Sequence, residues 1–405
     1  MFSKLVSAAA LIVALLSSAG GPALAGAPRD RHPGARAPAL AHAVSPGVVT
    51  QVGQIVVMEG DAEIVTDLGG DDYSIDAMEN IGMRFFLTYP DEFDGIAVFT
   101  TFPDLAQGGA AYALILNSGV SGVGGEGGAA PQAFGSAGRL ISMINMNDVN
   151  NYGAMDATDG YFHSVFGQEF GHTWLSFMEF IDPATQVRSS ELLGRDGAHW
   201  SAIFDSGASV MDGWSYIDNG DGTFTARSYA DRYGPLDLYA MGVYAAAEVG
   251  PMFIIRDARY QGSGAAVDPV NDGWSGAIGP GTVLTGERFD LDIADIVAAE
   301  GPRTPAWDED NEDFRIAFLL ITRHGERADE PQVMERVAKL EVGRVAWEHT
   351  HREWTMNRST MCTDVSAPCP LAFAEIDTIE VSEDPEGADR DGIIEPGERI
   401  RVAAT

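Results

Sequence analysis

Between Phe162 and Ile181 the apolar residues Phe162, Val165, Phe166, Phe170, Trp174, Phe177, Met178 and Ile181 recur at steps of three and four. That spacing predicts a long helix with a broad apolar stripe. Ser164, Gly167 and Gly171 fall on a neighbouring face, and Gln168, Glu169 and His172 project together from the face that remains. A helix with so little polar surface has to be buried, and burying a Glu beside a His requires partners for both. Two glycines inside a helix are unfavourable by about 1 kcal/mol each relative to alanine. Their presence is consistent with another backbone passing close by.

The 405 residues can form one large domain or two smaller ones around such a helix. Strands are expected at "QIVVM" (54–58), "GIAVFTTF" (95–102), "AYALIL" (111–116) and "RLISMINM" (139–146), with Met78, Ile81, Phe85 and Tyr89 at helical spacing between the first two. After the motif, "DNGDGTF" (218–224) reads as a hairpin turn. "YGPLDLYAMG" (233–242) opens a helix with Pro235 in its first turn. "PMFII", "TVLTG" and "FRIAFLLIT" are further strands, and 331–355 forms a last amphipathic helix. The fold class is α+β.

Both ends read differently. Lys4, the apolar run "LVSAAALIVALL" and the small-x-small site Ala23-Leu24-Ala25 mark residues 1–25 as a secretory signal peptide. An Ala/Pro/Gly-rich linker follows over 26–50. No later stretch is apolar enough to span a membrane. The chain has 25 basic and 60 acidic residues, and losing the leader takes the net charge from −35 to about −36. Such a surface repels nucleic acid and anionic lipid, and is compatible with calcium binding. Cys362 and Cys369, the only cysteines, read as a disulfide that closes a small loop in an exported protein. Residues 361–405 then form a disulfide-clipped linker and the first strands of a β-sandwich module, incomplete in this chain. Within it, Asp389, Asp391 and Glu398 fall at positions 3, 5 and 12 of a calcium loop of the EF-hand type, although Gly387 offers no carboxylate at position 1.

The polar trio carries the chemistry. Helical residues four apart lie on one face, so Gln168 and His172 can reach one ion, and a Glu at the second position sits beside a metal-bound water as general base. A Gln oxygen is a neutral, weaker ligand than imidazole. A third ligand is required, and two residues are candidates: His199 in "GAHWS" and Asp237 in "GPLDLYAMG". An Asp in a first helical turn also simply favours the helix dipole. His163 lies nine residues from His172 and turns to the opposite side of a regular helix.

"GQEFGHTW" followed by "SVMDGW" resembles the zincin metallopeptidases, with Met211 similar to the methionine turn beneath the metal in their metzincin branch. The resemblance implies a zincin-like domain over 51–360, with a mixed sheet and the motif on its active-site helix. It implies a secreted zinc-dependent peptidase acting on protein or peptide substrates. Gln168, His172 and either His199 or Asp237 would hold zinc, Glu169 would activate the metal-bound water, and Tyr239 would hydrogen-bond the tetrahedral intermediate. Two departures stand out: Gln168 occupies the first histidine position, and no Gly-x-x-His follows His172. They leave an alternative, a catalytically inactive peptidase-like surface or binding protein stabilised by calcium.

Overall fold

The structure, a computed structural model, describes residues 47–61, 64, 68, 74–104, 110–309 and 313–366, and the backbones of three short strands at 12–14, 379–383 and 400–404. The first strands in chain order are β1 (Ile12–Ala14), β2 (Val49–Val52), β3 (Ile55–Glu59), β4 (Gly95–Thr100), β5 (Tyr112–Ile115) and β6 (Ser142–Asp148). Then come β7 (Phe180–Ile181), β8 (Arg188–Ser189), β9 (Trp214–Asp218), β10 (Thr223–Tyr229), β11 (Met252–Tyr260) and β12 (Val283–Leu291). The last are β13 (Asp313–Thr322), β14 (Thr360–Cys362), β15 (Ile379–Glu383) and β16 (Ile400–Ala404). The α-helices are α1 (Ile75–Phe86), α2 (Gly160–Gly171), α3 (Pro235–Ala240), α4 (Ile293–Glu300) and α5 (Pro331–Trp354).

The main sheet runs β1-β5-β6-β4-β13-β3-β2, with β14 added alongside the start of β13. Its middle, β6-β4-β13-β3, is parallel, whereas β5 and β2 are antiparallel to their inner neighbours. Strands covered on both faces need apolar residues at every position, and β13 is buried from Phe314 to Thr322. On one face Ile55, Val57, Phe99, Ile144, Phe318 and Leu320 share a core with Phe162, Phe166 and Phe170 of α2 and Trp347 of α5. On the other, Val56, Met58, Ile96, Val98 and Leu319 pack with Met78, Ile81 and Phe85 of α1. The result is a three-layer α+β arrangement around a mixed sheet.

A second, antiparallel sheet, β11-β12-β10-β9, contains the expected hairpin, whose turn joins Asp218 to Thr223. The chain divides into two compact units, Met1–Cys369 and Pro370–Thr405. In the second, β15 and β16 pair antiparallel. The calcium-loop residues Asp389, Asp391 and Glu398 lie outside the described residues. Cys362 is disulfide-bonded, and Cys369, the chain's other cysteine, is also outside them. No described helix is long and apolar enough to cross a membrane.

Two expectations about α2 need correction. The helix stops at Gly171 with His172 as its C-cap, so Trp174, Phe177, Met178 and Ile181 continue the apolar stripe in irregular chain and a short strand. The glycines also do not admit a backbone. A Cβ on Gly167 would lie 2.3 Å from the Trp354 ring and 3.1 Å from that of Trp347, both on α5. Gly167→Ala should therefore destabilise the fold by about 1–3 kcal/mol, measured as a lower urea midpoint. Gly160→Ala, in open space at the helix start, should leave that midpoint unchanged or raise it slightly.

Candidate functional site

The motif helix begins at Asp159, whose Oδ1 accepts the amide of Phe162 as an N-cap. Its end is held by two contacts. Tyr233 donates its hydroxyl to the Gly167 carbonyl at 2.8 Å. Met211 packs so close that a Cβ on Gly171 would meet its sulfur at 2.9 Å. Met211 thus lies against the helix terminus.

Gln168 binds the same turn. Its amide nitrogen donates to the Val210 carbonyl at 3.1 Å and to Asp212 Oδ1 at 3.0 Å. The turn is tight, with Ala208 and Asp212 at positive φ. Asp212 Oδ1 also accepts the Tyr229 hydroxyl, at 3.2 Å. Its Oδ2 accepts Arg195 Nε and Nη2 at 3.0 and 2.8 Å. Both side chains of this ion pair are buried, at 7 and 6 % exposure. Burial would raise the Asp212 pKa, but His199, Arg195 and the Gln168 hydrogen bond hold it below the usual carboxylate value.

The same Arg195 Nη2 lies 2.8 Å from His199 Nε2. Arginine has no acceptor atom, so it donates and His199 Nε2 accepts. The His199 proton then sits on Nδ1, 3.0 Å from the Arg195 carbonyl. Burial, with the Arg195 charge, pushes the His199 pKa down to about 4 against the partial pull of Asp212. The rings of His172 and His199 stand nearly perpendicular, with centroids 4.9 Å apart.

His172 donates from Nδ1 to the Leu175 carbonyl at 3.2 Å, because the chain turns back directly after the helix. Its Nε2 has no hydrogen-bond partner among the described residues. Burial and the nearby His199 keep the ring neutral. Glu169 is fully buried, and neither carboxyl oxygen makes a hydrogen bond of ordinary geometry to a described residue. Burial drives its pKa well above the usual value, reinforced by Asp212 and opposed by Arg195 and the Ala113 backbone of β5. Burial thus favours its neutral, protonated form.

The two candidate third ligands part company. His199 joins His172, whereas Asp237 accepts Trp200 Nε1 at 2.8 Å and the Gly234 amide at 2.6 Å. Asp237 caps its own helix, and burial raises its pKa to about 6. Tyr239 accepts the Arg303 amide at 3.2 Å. His163 is occupied at 2.9 Å by the Asp156 carbonyl. Arg195 and Asp212, which complete the centre, escaped the sequence reading. An arginine in a Gly/Asp-rich loop carries no local mark of burial.

Zinc requires at least three protein ligands with free lone pairs. Among the described residues no group of three His, Cys, Asp or Glu side chains is arranged to hold a metal ion. The hydrogen bonds also oppose one. Gln168 turns its donor side to Asp212, the His199 lone pair goes to Arg195, and the Asp237 oxygens go to Trp200 and Gly234. As arranged, the donor set does not fit zinc.

Comparison with protein-family models, with curated proteins and with solved structures finds no match.

A neutral His199 has a testable consequence. Its folded pKa of about 4 lies below its ordinary 6.5. Its stabilising contribution is therefore fully present above the ordinary value and lost as pH falls toward 4. His199→Asn carries no such group. The stability advantage of wild type over this variant should shrink by about 3 kcal/mol between about pH 7 and pH 4, measured by urea unfolding across that range. A pH-independent advantage would contradict a neutral, buried His199.

Proposed function

We propose that this chain is an exported, peptidase-like protein that holds an extended polypeptide segment without hydrolysing it. The observation that carries this reading is the outer edge of β5. That strand lies beside Glu169, whose carboxyl feels the Ala113 backbone. Its inner edge pairs with β6 and its outer edge with Ile12–Ala14, in antiparallel register from Ile12 opposite Leu114 to Ala14 opposite Tyr112. These three residues belong to the expected leader. Its removal leaves a row of backbone donors and acceptors that another extended segment can use, with main-chain hydrogen bonds giving affinity.

The motif helix disfavours hydrolysis. A general base has to accept a proton from water, and burial favours the form of Glu169 that already carries one. Its neighbours are a neutral imidazole and an amide committed to Asp212. The reading as a zinc-dependent hydrolase draws on the free Nε2 of His172 beside Glu169, and needs two further ligands that the surrounding side chains do not offer as arranged. The acidic surface disfavours polynucleotide and anionic-lipid partners.

The test uses the chain from Gly26 onward and a fluorescent peptide with an Ile-Val-Ala core. Saturable binding is expected, with no cleavage product by mass spectrometry. A proline at the peptide's centre removes a ladder donor and should weaken binding on the order of tenfold. Binding indifferent to the proline, or cleavage of the peptide, would overturn the reading.

A further inference from the structure

The Arg195 guanidinium stands between the groups that a metal ion would need. Nη2 lies 2.8 Å from Asp212 Oδ2 and 2.8 Å from His199 Nε2, and these two atoms are 4.0 Å apart. A tetrahedral zinc with bonds of about 2.1 Å holds two ligand atoms roughly 3.4 Å apart, a closure of a few tenths of an ångström. The third group is at hand. His172 presses edge to face on His199, and its Nδ1 bond to Leu175 fixes the tautomer that leaves the Nε2 lone pair free. A backbone carbonyl on the far nitrogen is how metal-binding imidazoles are commonly oriented.

We propose that Arg195 is a cation built into the chain that keeps this centre closed to divalent metals, and that removing it opens a zinc site formed by His172, His199 and Asp212. One carboxylate oxygen and one imidazole lone pair cannot serve the guanidinium and an ion together. The disagreement between the helix motif and the donor set then has a single cause: the charge expected from a metal is supplied by a side chain. Gln168 fits the same arrangement. A histidine there would bring a ligand, whereas the Gln amide supplies a donor to the carboxylate that Arg195 has already neutralised. This inference concerns the charge balance of the centre and does not depend on peptide binding at β5.

The experiment compares the untagged full chain with its Arg195→Ala variant. Each is stripped with EDTA, then titrated with Zn²⁺ while Tm is recorded and with Co²⁺ while the visible spectrum is recorded. Wild type is expected to show the same Tm in EDTA and in zinc, and no cobalt bands. Arg195→Ala, which removes the counter-charge of Asp212 and leaves Gln168 and Tyr229 as its side-chain donors among the described residues, should melt earlier in EDTA. Zinc should restore its Tm, and it should take up about one cobalt with the intense bands of a four-coordinate ion. Adding His199→Ala should abolish both effects. If Arg195→Ala is recovered unfolded, zinc is expected to restore its native near-ultraviolet circular dichroism on refolding. Zinc uptake by wild type that is lost in His172→Ala would overturn the proposal. So would a variant whose stability, spectrum and refolding ignore both metals.

Discussion

The buried ion pair between Arg195 and Asp212 is the constraint on which the centre of this protein depends. Two charges leave water, and their attraction offsets that cost only when geometry and further hydrogen bonds are good. Here Arg195 offers two nitrogens to one carboxylate oxygen, and Gln168 and Tyr229 serve the other. One carboxylate therefore ties the motif helix, the 195–199 loop and the second sheet to a single point. The Met211 turn sits in the same knot, since Gln168 also binds the Val210 carbonyl and Met211 fills the space beside Gly171.

What surrounds the pair follows from it. Glu169 lies in the same dry volume, and burial raises its pKa well above the usual value, with Arg195 opposing and Asp212 reinforcing the shift. The imidazoles are held neutral by burial and by the guanidinium. The helix thus carries Gln168, Glu169 and His172 on one buried face, with Gln168 committed to Asp212 and His172 to the Leu175 carbonyl. The aromatic packing of α5 onto Gly167 fixes the helix against the sheet from the other side.

Much of the frame was legible from periodicity. The continuous apolar runs at 95–102 and 314–322 became buried parallel strands, and the repeat of Met78, Ile81 and Phe85 became the core face of α1. The polar trio was also legible, and it is buried together. The end of α2 was not, because Trp174, Phe177 and Met178 keep helical spacing by coincidence while filling the core from irregular chain. Nor was the choice between His199 and Asp237. Trp200, next to His199 in sequence, is the residue that engages Asp237, so one loop sends neighbouring side chains to different partners. Arg195 had no signal at all: the carboxylate that pairs with it, Asp212, lies 17 positions away.

The most direct measurement is a double-mutant cycle on the pair, with Arg195→Met, Asp212→Leu and the combined variant compared by urea unfolding. Each single change takes from one buried charge its closest counter-charge and should cost about 3–5 kcal/mol. The double variant should cost at least about 2 kcal/mol less than the sum, because neither charge then remains. Additive losses, with no coupling between the two sites, would contradict the account.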